Sequence, residues 1–554
     1  MSGKKFGWLF VLAACMAGWA QERAKSPDLQ PEVMTCDLQG ILLLSGWEQL
    51  RKEPLEPVEG VVSLGVALMD DNPTFLEMLK EDYIGKPLTQ RALWDLKDRI
   101  SEFYQSKNQP FAVVSVPRQG LSKGVLQLVI EEARLGEVRA KGNRYFTGTE
   151  LKDYIRAKRG EPILMREVVE DVAWMNQNPF RRTDAIFVPG KKPGTADLEL
   201  ATIDRWPYRV YVGADNTGTI STMRNRIFFG CNFGKTILRD SQVNYQFTCS
   251  PNWNRFYAHT ASARIPCPWR HVVLLWGGYS QVKPSLEIGN VKEKAVSWQA
   301  DVRYRIPVVD TPGILQELVI GYDFKETNNR IYEDRHSLFR ATADINQFMI
   351  GYELGAKKTD QRFTLVAEAY GNPSGLTKKN DKSEYEKFRF AAGPLYAYLK
   401  VAHSFAQRIR GGWWFSYDFS GQLSSKNLLP SEQFTLTGYN AVRGFEERAL
   451  IVDDAALLSL TFETPHWSPA HSWGASKEID ELYFLAFFDG GVGCNRQRAP
   501  GEKKFKSLGA IGPGVRYQFS RYVMGRLDYG FQLWHNGFHN PTRSRYNFGL
   551  IVSY

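Results

Sequence analysis

From about residue 207 to the last residue, the chain carries no helical period, and segments of alternating apolar and polar residues recur throughout. In Val296 to Ile306, Val296, Trp298, Ala300, Val302, Tyr304 and Ile306 share one face, while Ser297, Gln299, Asp301, Arg303 and Arg305 share the other. Period two is the signature of a strand whose successive side chains point to opposite sides of a sheet. The final segment repeats it: Tyr546, Phe548, Leu550, Val552 and Tyr554 alternate with Asn547, Gly549, Ile551 and Ser553, and the chain stops on the aromatic. Left as a free edge in water, such a strand would aggregate. Closed against the first strand of the same sheet, with its apolar face in lipid, every backbone group is satisfied. After the leader no run of 18 apolar residues occurs, so a helical membrane protein is excluded, whereas a β-barrel never needs such runs.

At about 20 to 25 residues per strand and connection, this region holds about 14 to 16 strands, and single-chain bacterial barrels favour even numbers. A soluble sandwich of this length would need several domains, and no Gly/Pro/Ser-rich linker divides it. The 33 Phe, 25 Tyr and 15 Trp suit the aromatic rims of a barrel, although they would also suit a secreted all-β protein. The net charge is +10, but Lys and Arg are dispersed and not interleaved with stacking aromatics, so nucleic acid is not an expected partner.

The N-terminus reads as an export leader over residues 1–20: Lys4 and Lys5 precede a short apolar core from Phe6 to Ala14. Gly18-Trp19-Ala20 places a cut before Gln21, and Leu12-Ala13-Ala14-Cys15 offers the alternative of a lipidated Cys15. Residues 21–59 form an N-terminal segment of linker character, with a short amphipathic helix expected over Ile41 to Arg51. Residues 60–133 and 134–204 then show one order twice, strand, helix, helix, strand, strand. In the first, Val61 to Met69 is the opening strand, Thr74 to Tyr83 and Ala92 to Tyr104 the helices, and Phe111 to Val116 and Val125 to Glu131 a hairpin. In the second, Leu135 to Ala140 is followed by helices over Thr149 to Arg156 and Met165 to Met175 and strands over Ala185 to Pro189 and Ala196 to Ile203. The remaining region, 205–554, is the barrel.

No enzyme constellation stands out. The eight His are scattered, no nucleophile motif, phosphate loop or dinucleotide fingerprint is present, and no cofactor is expected. The six Cys lack metal-ligand spacing, and His535 and His539 lie in a strand end and turn, so no metal site is expected either. Two short runs do carry chemistry. Gly438-Tyr439-Asn440-Ala441-Val442-Arg443-Gly444-Phe445 reads as a loop tip that packs tightly while presenting a guanidinium. Phe487-Phe488-Asp489-Gly490-Gly491 places a carboxylate among apolar and glycine residues on a strand, where a buried Asp needs a partner.

In these runs, and in their order along the chain, the sequence resembles the outer-membrane translocators of two-partner (type Vb) secretion, the haemolysin-secretion and filamentous-adhesin-secretion type, within the superfamily of the bacterial barrel-assembly protein. Val442-Arg443-Gly444-Phe445 is similar to the family's motif at the tip of a long sixth extracellular loop, and Phe487-x-Asp489-x-Gly491 to the barrel-wall motif that receives it. Gly512-x-Gly514-x-Arg516-Tyr517 resembles a late-strand motif, and Asp215-Asn216-x-Gly218 a signature at the first barrel strand. Asn178-Pro179-Phe180-Arg181 resembles the Asn-Pro-x-Arg segment of the second polypeptide-transport-associated (POTRA) domain, so that 60–133 and 134–204 would be POTRA 1 and POTRA 2. The resemblance implies 16 strands, an Arg443–Asp489 pair inside the lumen, and an N-terminal plug helix, for which residues 21–59 are short. It implies as partners a secreted substrate protein with an N-terminal secretion domain, outer-membrane lipid, and, during biogenesis, periplasmic chaperones and the barrel-assembly machinery. Two other readings stand beside it: a barrel-insertion factor, which would usually carry more POTRA domains, and a passive porin, which would need none.

Overall fold

The computed structural model describes residues 33–35, 37–51, 57–121, 123–236, 240–285, 291–308, 314–333, 336–475, 479–540 and 542–554. The readings of leader, cleavage site, Cys15 lipidation and any plug helix before residue 33 lie outside the described residues. The chain divides after Trp206 into an N-terminal unit and a C-terminal unit.

The N-terminal unit holds two α+β modules. In the second, strand Arg134–Lys141 runs parallel to Thr195–Asp204, which pairs antiparallel with Arg181–Pro189. Helices Gly148–Lys152 and Met165–Met175 cover the sheet, burying Leu151, Val168, Val172 and Met175 against Leu135, Leu198 and Leu200. The first of these helices is shorter than its sequence period suggests. It ends at Lys152, and downstream the Arg156 N–H donates to the buried Asp171 carboxylate (2.9 Å).

The first module repeats this plan with one strand more, in the spatial order Gly60–Leu64, Gly40–Leu44, Val125–Glu132, Ala112–Ser115. Here two expectations are corrected. Ile41 to Leu44 is a strand, not a helix, and only Trp47–Gln49 makes a single 3-10 turn. Gly40–Leu44 lies between two parallel neighbours, with Ile41 and Leu43 in one core and Leu42 and Leu44 in another on the opposite face. A strand buried on both faces reads as an unbroken apolar run, which periodicity cannot tell from a helix. The strand expected over 61–69 stops at Leu64, because Gly65 at φ +71° turns the chain into a short helix, Ala67–Asp70. Helices Pro73–Tyr83 and Gln90–Ser106 follow as expected, the latter capped by Thr89, whose hydroxyl accepts from the Ala92 N–H (3.1 Å).

The C-terminal unit is a closed, all-antiparallel barrel of 16 strands, from Tyr208–Asp215 to Ser544–Ser553. The alternation seen in the sequence is its inside and outside. Trp298 and Val302 are exposed on the outer surface, while Arg303 and Arg305 point inward, to Asp323 and to Glu317 and Glu353 (2.9 and 2.6 Å). Closure joins Tyr211–Asp215 to Gly549–Ser553, a shorter ladder than any other neighbouring pair in the ring among the described residues. Tyr546, Leu550, Val552 and Tyr554 face outward at this seam, Phe548 between them is half-buried, and Asn547 and Ser553 are buried on the inner side. The Asn216 side chain reinforces the seam, donating to the Tyr546 carbonyl (2.7 Å) and accepting from the Phe548 N–H (3.0 Å).

Candidate functional site

The connection between strands Trp414–Ser424 and Asp454–Glu463 does not stay outside the ring. It carries a minimal hairpin, Phe434–Thr435 against Ile451–Val452, and its tip packs on the inner wall. Gly438 (φ +128°) and Gly444 (φ +103°) supply backbone conformations closed to other residues, which lets the tip fold tightly.

Three alternate residues of the receiving strand, Asp480–Cys494, meet the tip. The Phe487 ring lies 3.5 Å from the Arg443 guanidinium, a stacked cation–π contact. Asp489, fully buried, accepts from Arg443 Nε and Nη2 (2.8 Å each) and also from the Arg443 backbone N–H (3.0 Å). Gly491 leaves room for the loop's Val442, since a Cβ there would stand 3.3 Å from Val442 Cγ2 and 3.0 Å from Leu436 Cδ2. Ser459, directly across the ladder from Asp489, completes the site: it donates to Asp489 (2.6 Å) and accepts from Arg443 (3.1 Å). This bidentate, charge-assisted arrangement fits a guanidinium and not an ammonium.

The late-strand motif lies one strand further on, in Lys506–Phe519. A Cβ at Gly512 would come within 2.9 Å of the Phe487 ring, and one at Gly514 would overlap the Asp528 carboxylate. Arg516 makes a bidentate pair with that carboxylate (2.8 and 3.0 Å), and Tyr517 donates to Asp480 (3.2 Å). Pro513, which has no N–H, coincides with a break in pairing to the next strand opposite Tyr529 and Gly530. There Gly444 of the tip meets the wall, and Phe445 packs beside Phe538 (5.9 Å).

Sequence reasoning missed several further anchors. Glu446 pairs with Arg224 (2.9 Å) and Arg545 (3.4 Å). Arg526 donates to Asp528 (2.7 Å) and to the Tyr439 carbonyl (2.9 Å), and lies over the Tyr439 ring. At the loop's base, Glu432 is buried and accepts from Lys325 (2.9 Å), Gln347 (3.0 Å) and Tyr398 (2.9 Å), while Asp453 holds Arg389 (2.5 and 2.8 Å). The run Glu446-Glu447-Arg448 just after the motif was a visible signal. The wall partners, far away in sequence, gave none.

The Asn-Pro-x-Arg segment is turned into its module. Asn178 accepts from the Phe180 N–H (3.0 Å), and Arg181 donates to the Met175 carbonyl (2.9 Å) between the Phe146 and Tyr154 rings. Pro179 sits in the turn, its carbonyl accepting from Arg205 (3.0 Å). No group of His, Cys, Asp and Glu suited to a metal occurs among the described residues, and Cys231, Cys249, Cys267 and Cys494 are free thiols.

A barrel with a surface loop clasped inside it, following α+β modules of this plan, defines an outer-membrane transporter, with the modules periplasmic and the barrel in the outer membrane. Residues 291–517 match the haemolysin secretion/activation protein ShlB/FhaC/HecB family and residues 57–133 match the POTRA domain of ShlB type. Both matched regions are of the type found in the translocators of two-partner secretion. The chain is 21% identical over 450 residues to the heme/hemopexin transporter protein HuxB of Haemophilus influenzae (strain 86-028NP), covering 80% of this chain and 77% of that one. It is 21% identical over 477 residues to the outer membrane transporter CdiB of Dickeya dadantii (strain 3937), covering 82% and 79%. Among solved structures, CdiB from Escherichia coli shares the fold, with a TM-score of 0.75 at 17% identity over 96% of this chain and 92% of that one.

Proposed function

We propose that this chain conducts an unfolded partner exoprotein from the periplasm to the cell surface, and that the Arg443–Asp489 pair holds the resting state. The observation that carries the reading is the loop tip locked in the lumen of a closed barrel by a buried, bidentate ion pair. The partner would present an N-terminal secretion domain to the two modules. Arg181–Pro189 and Arg134–Lys141 are sheet edges in the second module, each able to accept an extended segment as an added strand. Transit requires the tip to leave the lumen. Breaking one partner of a buried pair costs about 3–5 kcal/mol, so the loop stays in place until the arriving chain offers compensating contacts. No nucleotide is available in the periplasm, so folding of the partner outside supplies direction. Periplasmic chaperones and the barrel-assembly machinery would deliver the chain itself to the membrane.

Deleting 134–204 separates this reading from its rivals. Secretion of the partner exoprotein should stop, while planar-bilayer recordings still show a conducting barrel. Normal secretion from the deletion would remove the second module as receiver. Loss of other outer-membrane proteins on depletion of the full chain would favour an insertion factor.

A further inference from the structure

The order of strands around the ring sets one strand opposite the latch. Asp489 lies on Asp480–Cys494, and eight places away in either direction around the 16-strand ring is Val272–Val282. Residues directly opposite each other on antiparallel neighbours share a face, so the register traces one row across this half of the barrel: Asn244, Ser262, Trp276, Asp301, Asp323, Gln347. The row faces inward, because Gln347 donates to Glu432 of the folded-in loop (3.0 Å), whereas Val302, beside Asp301, is exposed on the outer surface. Five of the six are polar, and the sixth is a tryptophan.

Trp276 is 39% exposed although it points into the lumen, and Leu274 shares its face. The indole lies along the wall over Gly278, where a Cβ would stand 2.6 Å from Trp276 Cη2. An aromatic belt does not account for it, since belts form on the lipid-facing side at the membrane interfaces. A water-filled lumen gives an indole no apolar partner of its own.

We infer that Trp276, with Leu274 beside it, is the sliding contact for the polypeptide in transit, taking up its apolar and aromatic side chains in turn. The inference rests on the transport reading above and places the path along the wall opposite the latch. One ring among polar neighbours makes a contact that any apolar side chain can form and leave, which conduction requires.

The full-length chain in planar bilayers tests this with two synthetic peptides, a Gly/Ser sequence long enough to span the barrel and the same sequence with Phe at intervals. The Phe peptide should block the wild-type channel about two- to tenfold longer per event, the range that one aromatic pair carries. Trp276→Ala and Trp276→Gln should abolish that difference, Trp276→Phe should keep it, and the outward Trp298→Ala should leave it unchanged. Heat-modifiable mobility on gels identifies the variants that fold, and the Gln variant serves if the Ala variant does not. An undiminished difference in folded Trp276→Ala or Trp276→Gln overturns the sliding contact and leaves the transport reading standing. If neither peptide blocks the wild-type channel, the transport reading falls first. A photo-reactive residue at 276 that captures the chain's own N-terminal segment in place of the peptide would also overturn the proposal.

Discussion

Gly444 at the loop tip and Gly530 in the barrel wall meet backbone to backbone. A Cβ on Gly530 would stand 2.6 Å from the Gly444 nitrogen, and one on Gly444 would stand 3.0 Å from the Gly530 carbonyl oxygen. The approach occurs where Pro513 interrupts the ladder, so the wall opposite the tip has no side chain and incomplete strand pairing. Gly530→Ala should therefore push the tip off the wall without touching either charge of the latch. The expected result is faster proteolysis of the 434–452 segment and a larger conductance, with heat-modifiable mobility retained. Protease resistance equal to the wild type would show that the wall yields and the approach is unimportant.

Arg443 and Asp489 should behave as a unit. Arg443→Ala leaves a buried carboxylate without its charge partner, and Asp489→Ala leaves a buried guanidinium with only the more distant Asp528 carboxylate, 3.9 Å away. Each single change should loosen the loop and impair secretion, with insertion less affected. The double change should be no worse than either. Arg443→Lys should rescue poorly, since an ammonium cannot reproduce two parallel hydrogen bonds and the stack on Phe487. Simple additivity of the two effects on secretion rate would count against the pair.

The seam should depend on Asn216. Its two hydrogen bonds to the last strand supplement a short ladder, and each contributes about 0.5–1.5 kcal/mol. Asn216→Ala should lower the temperature at which the barrel unfolds in detergent. Asn216→Asp, which keeps the acceptor for Phe548 N–H and loses the donor to Tyr546, should fall between. An unchanged midpoint for Asn216→Ala would show that strand pairing alone closes the ring.

The connection 464–479 should respond to pH. The carboxylates of Glu463 and Glu481 push the His466 imidazole up to about 9, and the ring stacks on Tyr483. A raised pKa means that the charged pairing is fully present below the ordinary value near 6.5 and is lost as pH rises through about 9. Protease cleavage within this connection should therefore increase between pH 8 and about 10 in the wild type, and be flat over that interval in His466→Gln. A midpoint near 6.5 would show that the two carboxylates do not hold the proton.

Much of this architecture was legible because period two survives in a barrel. The outward row of Val296 to Ile306 and that of the terminal strand could be read residue by residue, and Phe487, Asp489 and Gly491 already lay on one face by spacing. Arg443 could be matched to Asp489 only through resemblance, because nothing in the spacing of residues 46 positions apart says that they touch. Asp528, Arg545 and Glu432 were invisible for the same reason: a charge on an inner face is expected at many positions, and its partner is set by ring order. The misreading of Ile41 to Leu44 has a different cause. Its alternation is hidden when both faces of the strand are buried.

That same strand limits how the first module can be cut. Gly40–Leu44 occupies the middle of the sheet, between Gly60–Leu64 and Val125–Glu132, yet it lies upstream of the residues that match the POTRA domain, 57–133. A fragment excised at residue 57 would keep both outer portions and lose the strand that joins them, exposing two apolar layers at once. The smallest portable piece therefore begins no later than Leu38, whose N–H and carbonyl already pair with Lys86 and Gly85. A graft or fusion designed on the family boundary alone would start from half a sheet.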